Sequence, residues 1–191
     1  NNKVKVSNHA RNGRSSKSFL DEGRWQIVLD SLLPGDYVII QFGHNDQKND
    51  PARHTDPHST YKSNLEKYVN ETREKGAFPI LCTSIVRRHF DEKGHLTDTH
   101  GEYPVVTRQV AKEMNVPLLD LQKKTNDIVS DLGPDKSKVL YLHTAPGEYP
   151  TKPDGIKDNS HLSKEGARII ARFATEEMKK FRLEVIAYLK E

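Results

Sequence analysis

The sequence has few of the features that define several classes of protein. Its 191 residues include a single cysteine, Cys82, so an internal disulfide is excluded. No segment approaches the roughly 20 apolar residues of a membrane-spanning helix. No run of five or more like charges is present either. We therefore expect neither a membrane nor a nucleic acid as a partner, and the sequence alone leaves the oligomeric state open.

The histidines of the chain form no metal-binding motif. Nine are present, but no His-Glu-x-x-His pattern or comparable ligand cluster occurs. Five of them are scattered through predicted loops: His54, His58, His89, His95 and His100. We expect no bound metal.

Length and composition predict one globular domain. A chain of 191 residues is long enough for one substantial core and too short for two typical domains. Charged residues make up 30% and the mean hydropathy is -0.79, yet the apolar residues occur in separate periodic runs. We expect a single folded domain over residues 1–191, with a heavily charged surface and a net charge of +3.

Apolar periodicity predicts alternating strands and helices. Runs of β-branched and aromatic residues predict strands at 3–6, 37–42, 78–86 and 116–121. Between them, apolar residues recur at helical spacing; one such helix is expected to be capped by Ser59 or Thr60. Residues 135–160 are expected to be mostly loop with a possible short helix. The last helix is expected to start near Ser163, and the tail beyond Phe181 to stay helical. This alternation predicts an α/β fold with a parallel sheet and right-handed crossovers.

The predicted strand at 37–42 ends directly in the polar residues His44, Asn45 and Asp46, after Gly43. In open α/β sheets, ligands bind just beyond the carboxyl ends of the strands, which makes Asn45 the first candidate for chemistry. Its side-chain amide donates hydrogen bonds without carrying charge, which suits it to stabilise an oxyanion that develops during acyl transfer. The alternative is an Asn-Asp turn that only ends the strand.

An aspartate and a histidine three residues apart, Asp158 and His161, precede the last helix. The carboxylate can fold back onto the imidazole, fix its tautomer through Nδ1 and leave Nε2 to accept a proton. Together they form the base half of a catalytic triad. The alternative is a surface pair or a helix-capping aspartate.

Arg87 and Arg88 follow the predicted strand at 78–86 and open a polar loop at 89–100. Arginine binds carboxylates in a bidentate manner, so both are candidates for binding carboxylates of a substrate. The alternative is a solvated loop.

Three segments, 12–16, 42–46 and 158–162, resemble conserved blocks of the SGNH, or GDSL-type, hydrolases. Among the enzymes of this family, the resemblance is strongest to the rhamnogalacturonan acetylesterases. The similarity runs from about Val4 to Ala174. It implies a flavodoxin-like three-layer α/β/α sandwich. It also implies oxyanion donors at the Gly13 backbone and the Asn45 side chain, and an Asp158 that orients the general base His161. His44 is a further candidate for substrate binding.

The block that supplies the nucleophilic serine in this family, a Gly-Asp-Ser after the first strand, has no counterpart in the sequence. We therefore expect an N-terminally truncated domain, in which a strand, a loop and a helix of roughly 30 residues would precede Lys3. Ser15, Ser16, Ser84 and Ser160 are the nearest substitutes, but none lies in a Gly-x-Ser-x-Gly turn.

The missing first strand would be central in the sheet. Its loss predicts a gap between the strands at 3–6 and 37–42. Gly13, Asn45 and His161 are expected to converge at the carboxyl end of this gap.

The resemblance implies an esterase that removes acetyl groups from a plant cell-wall polysaccharide such as rhamnogalacturonan, without a cofactor. It also implies a secreted or periplasmic protein, although the sequence itself does not indicate a compartment. The 191-residue chain itself is expected to have little activity. Two alternatives stay open: an SGNH esterase that acts on lipid or other small esters, and a non-catalytic carbohydrate-binding protein that has lost its nucleophile.

Overall fold

A computed structural model describes residues 4–181 and 183–188 of the chain. The chain divides into two compact units. The first consists of Asn1–Ser84, His100–Asp120 and Glu177–Glu191, and the second of Ile85–Thr99 and Leu121–Glu176. The single domain expected over residues 1–191 stays a prediction.

The first unit contains a parallel sheet with helices packed against it. Its elements in chain order are α1 (Ser16–Asp21), α2 (Arg24–Ser31), β1 (Tyr37–Gln41), α3 (Lys62–Glu74), β2 (Phe78–Cys82), α4 (Tyr103–Glu113) and β3 (Leu118–Leu119). The strand β2 lies between β1 and β3 and pairs in parallel with both. The predicted α/β alternation is therefore confirmed, although β2 and β3 are shorter than the predicted strands and α1 was not predicted.

The helix α3 supplies much of the core of this unit. Its buried residues Leu65, Tyr68, Val69 and Thr72 follow the spacing of one helix face. The ring of Tyr68 packs edge-on against Trp25 of α2, with ring centroids 4.7 Å apart.

The start of α3 differs from the prediction of a cap at Ser59 or Thr60. A π-helical turn, Pro57–Tyr61, precedes α3, and the Asp56 side chain accepts hydrogen bonds from the N–H groups of His58 and Ser59. A carboxylate is a strong acceptor for the exposed N–H groups at a helix start, and Pro57 is well suited to the first helical position.

The strand predicted at 3–6 is wrong for the residues that can be judged. Lys3 lies outside the described residues, while Val4 to Val6 are irregular and Val6 is 86% exposed. Among the described residues, β1 pairs only with β2. The predicted gap needs a strand on each side, and the described residues 4–6 form no strand, so this gap is not formed. A single short segment without a neighbouring strand to pair with is not stable as a strand.

The second unit contains α5 (Leu121–Lys136), β4 (Tyr141–Thr144), β5 (Ile156–Leu162) and the first part of α6 (Lys164–Lys180). The strands β4 and β5 pair antiparallel, so the prediction of mostly loop over 135–160 is wrong. The short helix predicted in this range is present as a 3-10 helix, Ser137–Leu140. Exposed residues alternate with half-buried ones along β5, and most of them are polar, so this sequence lacks the apolar signal of a buried strand.

The predicted start of the last helix is close to that observed. The helix α6 begins directly after Ser163, whose hydroxyl accepts the Gly166 N–H at 3.0 Å. The tail is mostly helical where it is described, as predicted, but Val185 and Ile186 lie in a separate 3-10 helix, Glu184–Tyr188. Within the described ranges, none of the helices is long and apolar enough to cross a membrane.

The buried carboxylate of Asp46 connects the loop after β1 to the start of α1. It accepts hydrogen bonds from the Ser16 N–H at 3.0 Å and the Ser16 hydroxyl at 2.5 Å. It also accepts the Gly43 N–H at 3.0 Å and the Thr55 hydroxyl at 3.1 Å. Burial raises the pKa of Asp46 above its ordinary value, and the hydrogen bonds from Ser16, Gly43 and Thr55 act against this rise. Every partner is a donor, so the site suits an acceptor-only carboxylate.

We predict that Asp46→Asn destabilises the protein, because an amide NH2 group would face N–H and O–H groups that need an acceptor. The free energy of unfolding, measured by urea denaturation, should fall by about 1–3 kcal/mol for each buried donor left without an acceptor.

The control is Asp36→Asn, since the Asp36 carboxylate is exposed and accepts the Leu33 N–H at the surface. Its effect should stay within about 0.5 kcal/mol. If Asp46→Asn instead stabilises the protein, the cost of burying the charge outweighs its hydrogen bonds and this description of the loop is wrong.

Candidate active site

Gly43 turns the chain sharply at the end of β1. Its φ is +123°, a backbone conformation that residues with a side chain rarely adopt. An added Cβ would lie 2.7 Å from the Ser84 hydroxyl oxygen. Only glycine fits at this position. The turn places His44, Asn45 and Asp46 in the loop after the strand, as the sequence predicted.

Asn45 and the segment of Gly13 are brought together by one hydrogen bond. The Asn45 amide donates from Nδ2 to the Arg14 carbonyl at 3.2 Å, and Arg14 directly follows Gly13. An amide carries two N–H bonds, so this contact orients the side chain and leaves a second N–H for another acceptor. The predicted oxyanion donors thus lie on two neighbouring loops of the first unit. The convergence of His161 with them stays a prediction.

His44 packs against a second histidine of the first unit. Its ring meets His100 edge-on, with ring centroids 4.6 Å apart. His100 is buried, so this contact covers one side of the His44 ring. No local pattern in the sequence indicates this pair, because the two residues are far apart in the chain.

The serines near the predicted blocks are engaged in structural contacts. Ser15, Ser16 and Ser84 are all buried. The Ser15 hydroxyl caps α1, that of Ser16 donates to Asp46, and that of Ser84 donates to the Phe42 carbonyl at 2.9 Å. Buried hydroxyls in such contacts are poorly placed to attack a substrate.

Asp158 and His161 lie in a large bulge of the second unit. Tyr141 pairs with Leu162 and His143 with Lys157, so residues 158–161 face Leu142 alone on the opposite strand. Such bulges redirect side chains and are common beside active sites. Within it, Oδ2 of Asp158 lies 2.6 Å from Nδ1 of His161. The sequence prediction that these two side chains pair is therefore met by the geometry.

The other oxygen of Asp158 holds the backbone of the bulge. Its Oδ1 accepts the N–H groups of Ser160 at 2.7 Å and His161 at 2.9 Å. Burial acts to raise the pKa of Asp158, but hydrogen bonds from the His161 and Ser160 backbone and the His161 ring outweigh it. The pKa therefore lies below its ordinary value.

The pairing sets the tautomer of the imidazole. An ionised carboxylate can only accept, so Nδ1 of His161 carries the proton in this pair. Nε2 is then the basic nitrogen of the neutral ring.

Arg88 holds the bulge from the side and was not predicted to do so. Its Nη1 donates to the Asn159 side-chain oxygen at 2.6 Å, its backbone N–H donates to the Asn159 carbonyl at 2.8 Å, and its Nη2 donates to the Pro134 carbonyl. Nε2 of His143 lies 2.9 Å from the same side-chain oxygen of Asn159. Arg88 thus fixes the residue that follows Asp158.

Arg87 has a different environment from Arg88. It is half-buried and donates from Nη1 to the Thr99 carbonyl at 3.2 Å. Burial lowers its pKa. Substrate binding by either arginine stays a prediction.

The described residues offer no obvious metal site. Among them, no group of three or more His, Cys, Asp or Glu side chains is placed to hold a metal ion.

Comparison with known proteins adds two curated relatives from Bacillus subtilis. The rhamnogalacturonan acetylesterase RhgT is 44% identical over 186 residues, which cover 97% of this chain and 79% of RhgT. The probable rhamnogalacturonan acetylesterase YesY is 37% identical over 181 residues, which cover 94% of this chain and 79% of YesY.

A solved structure and a family model give the fold and the family. The crystal structure of Bacillus subtilis YxiM superposes with a TM-score of 0.76 at 25% identity; the match covers 94% of this chain and 47% of the YxiM chain. The chain thus spans about half the length of that structure. The GDSL-like Lipase/Acylhydrolase model matches residues 1–169. These findings confirm the predicted SGNH hydrolase fold, and the chain belongs to the GDSL-like lipase/acylhydrolase family.

Proposed function

We propose that this protein is a carboxylic ester hydrolase that removes acetyl groups from a plant cell-wall polysaccharide, rhamnogalacturonan. The observation that carries the chemistry is the 2.6 Å contact between Asp158 and Nδ1 of His161. The substrate is supported by the names of the two Bacillus relatives, which are 44% and 37% identical to this chain.

The reaction proceeds by double displacement. A serine oxygen attacks the acetyl carbonyl carbon while Nε2 of His161 takes the serine proton. The resulting oxyanion accepts hydrogen bonds from the second Asn45 N–H and the Gly13 backbone N–H. The carbon–oxygen bond to the sugar then breaks, and His161 passes its proton to the sugar oxygen. Water repeats the sequence on the acetyl-serine, releases acetate and restores the serine hydroxyl.

The nucleophile in this proposal is a serine encoded upstream of Asn1. This part rests on the surroundings of the serines in the chain. The buried hydroxyls of Ser15, Ser16 and Ser84 hold α1 and the loop after β1. Ser160 lies in the same bulge as Asp158, to which its backbone N–H donates.

The proposal is tested by acetate release from acetylated rhamnogalacturonan. A protein that includes the residues encoded upstream of Asn1 should turn over like an ordinary esterase. The 191-residue chain should retain at most the roughly 10³- to 10⁴-fold enhancement over water that remains when a triad nucleophile is absent.

Two results would count against this proposal. Full turnover by the 191-residue chain would mean that one of its own serines is the nucleophile. Hydrolysis of long-chain acyl esters in preference to the acetylated polysaccharide would favour a lipid esterase instead.

In the longer protein, Asn45→Ala should lower kcat by roughly 10²- to 10³-fold and change KM little, because its N–H acts mainly after charge has developed on the acetyl oxygen. The exposed Asn70→Ala on α3 is the matched control and should leave both constants unchanged. Urea denaturation of both variants checks that loss of the contact to Arg14 has not unfolded the loop. An unchanged kcat in a folded Asn45→Ala variant would remove Asn45 from the oxyanion hole.

A further inference from the structure

A pocket of about 530 Å³ lies beside the bulge that holds Asp158 and His161. It lies within the second unit. Its polar and charged lining residues include Arg88, Lys138, His143, Lys157 and Asn159. Asn159 also belongs to the bulge, so the pocket adjoins the residues of the proposed general base.

The pocket is cationic. Arg88, Lys138 and Lys157 border it, and no carboxylate does so among the described residues. Lys138 pairs with Asp135 at 2.9 Å, but the Asp135 side chain is 89% exposed, and an ion pair in water neutralises little. Lys157 is exposed on β5.

Arg88 forms a fixed part of the pocket wall. Its guanidinium is held by the Asn159 side chain and the Pro134 carbonyl, both uncharged acceptors. Its Nε is buried without a hydrogen-bond acceptor among the described residues. Neither acceptor neutralises the arginine, and the nearby Asp135 carboxylate, whose pKa is lowered by Lys138 and also by Arg88, offsets only part of the positive charge. The three cationic side chains around one carboxylate favour an anionic ligand in the pocket.

We propose that this pocket binds the carboxylate of a uronic acid residue in the substrate chain. This inference rests on the proposed function, because a rhamnogalacturonan contains galacturonic acid, whose carboxylate is ionised at neutral pH. Lys157 and Lys138 bind the carboxylate, and Arg88 supplies a fixed positive field behind them. Because Asn159 directly follows Asp158, the bound uronic acid is a sugar close to the one that carries the acetyl group. The pocket thereby selects an acidic polysaccharide over a neutral one.

The test is an equilibrium binding measurement by calorimetry with unacetylated trigalacturonate. A second probe is the same trisaccharide with its carboxyl groups reduced to alcohols. The parent protein should bind the acidic probe, and Lys157→Met should weaken this binding roughly tenfold, which corresponds to about 1.4 kcal/mol. Lys157→Glu should weaken it further. The matched control is Lys123→Met on α5, which removes the same charge outside the pocket and should bind like the parent.

The inference is overturned if the reduced probe binds as tightly as the acidic one. It is also overturned if Lys157→Met and Lys157→Glu keep the affinity of the parent. Because binding is measured without catalysis, a failure of the pocket and a failure of the esterase proposal give different results. A protein that binds the acidic probe through Lys157 but releases no acetate would refute the esterase proposal and support the pocket. A protein that releases acetate normally, with binding insensitive to Lys157, would refute the pocket alone.

Discussion

The hydrogen bonds of the buried Asp46 carboxylate are the constraint on which the first unit depends. One side chain accepts from the start of α1, from Gly43 and from Thr55, so three separate segments share one acceptor group. Because the loop after β1 is held in this way, Asn45 can reach the Arg14 carbonyl. If the loop moved, the buried carboxylate and its donors would lose these hydrogen bonds, which costs free energy. This cost keeps the loop in one conformation.

In the second unit, an aspartate also holds irregular backbone in place. Here four residues bulge out of an antiparallel hairpin, and Asp158 holds the bulge together by binding both its backbone and the His161 ring. Arg88 and His143 fix Asn159 within the same bulge. The residues with proposed roles thus lie on irregular backbone, and side-chain acceptors replace the missing strand pairing.

Much of the first unit could be predicted from the sequence, because α3 and α4 bury regular apolar faces and β1 is a short apolar run after a Pro-Gly turn. The hairpin of β4 and β5 could not, since its residues are mostly polar and half-buried. The spacing of Asp158 and His161 was enough to predict their contact. The roles of Asp46 and Arg88 depend on residues distant in the chain, Ser16 and Asn159, and no local pattern reveals such partners.

The proposed mechanism requires Asp158 to hold His161 in the tautomer of a general base, and an Asp158→Asn variant examines this requirement. The amide oxygen of the substituted side chain would still accept the two backbone N–H groups that now donate to Oδ1. The NH2 group would then donate to Nδ1, so the ring proton of the neutral imidazole would be on Nε2 and that nitrogen could not accept a proton. In the protein with its upstream residues, kcat for acetate release should fall by about 10²- to 10⁴-fold. The exposed Asp154→Asn should have no effect. A kcat near that of the parent in a folded Asp158→Asn variant would mean that catalysis does not depend on the tautomer that Asp158 sets.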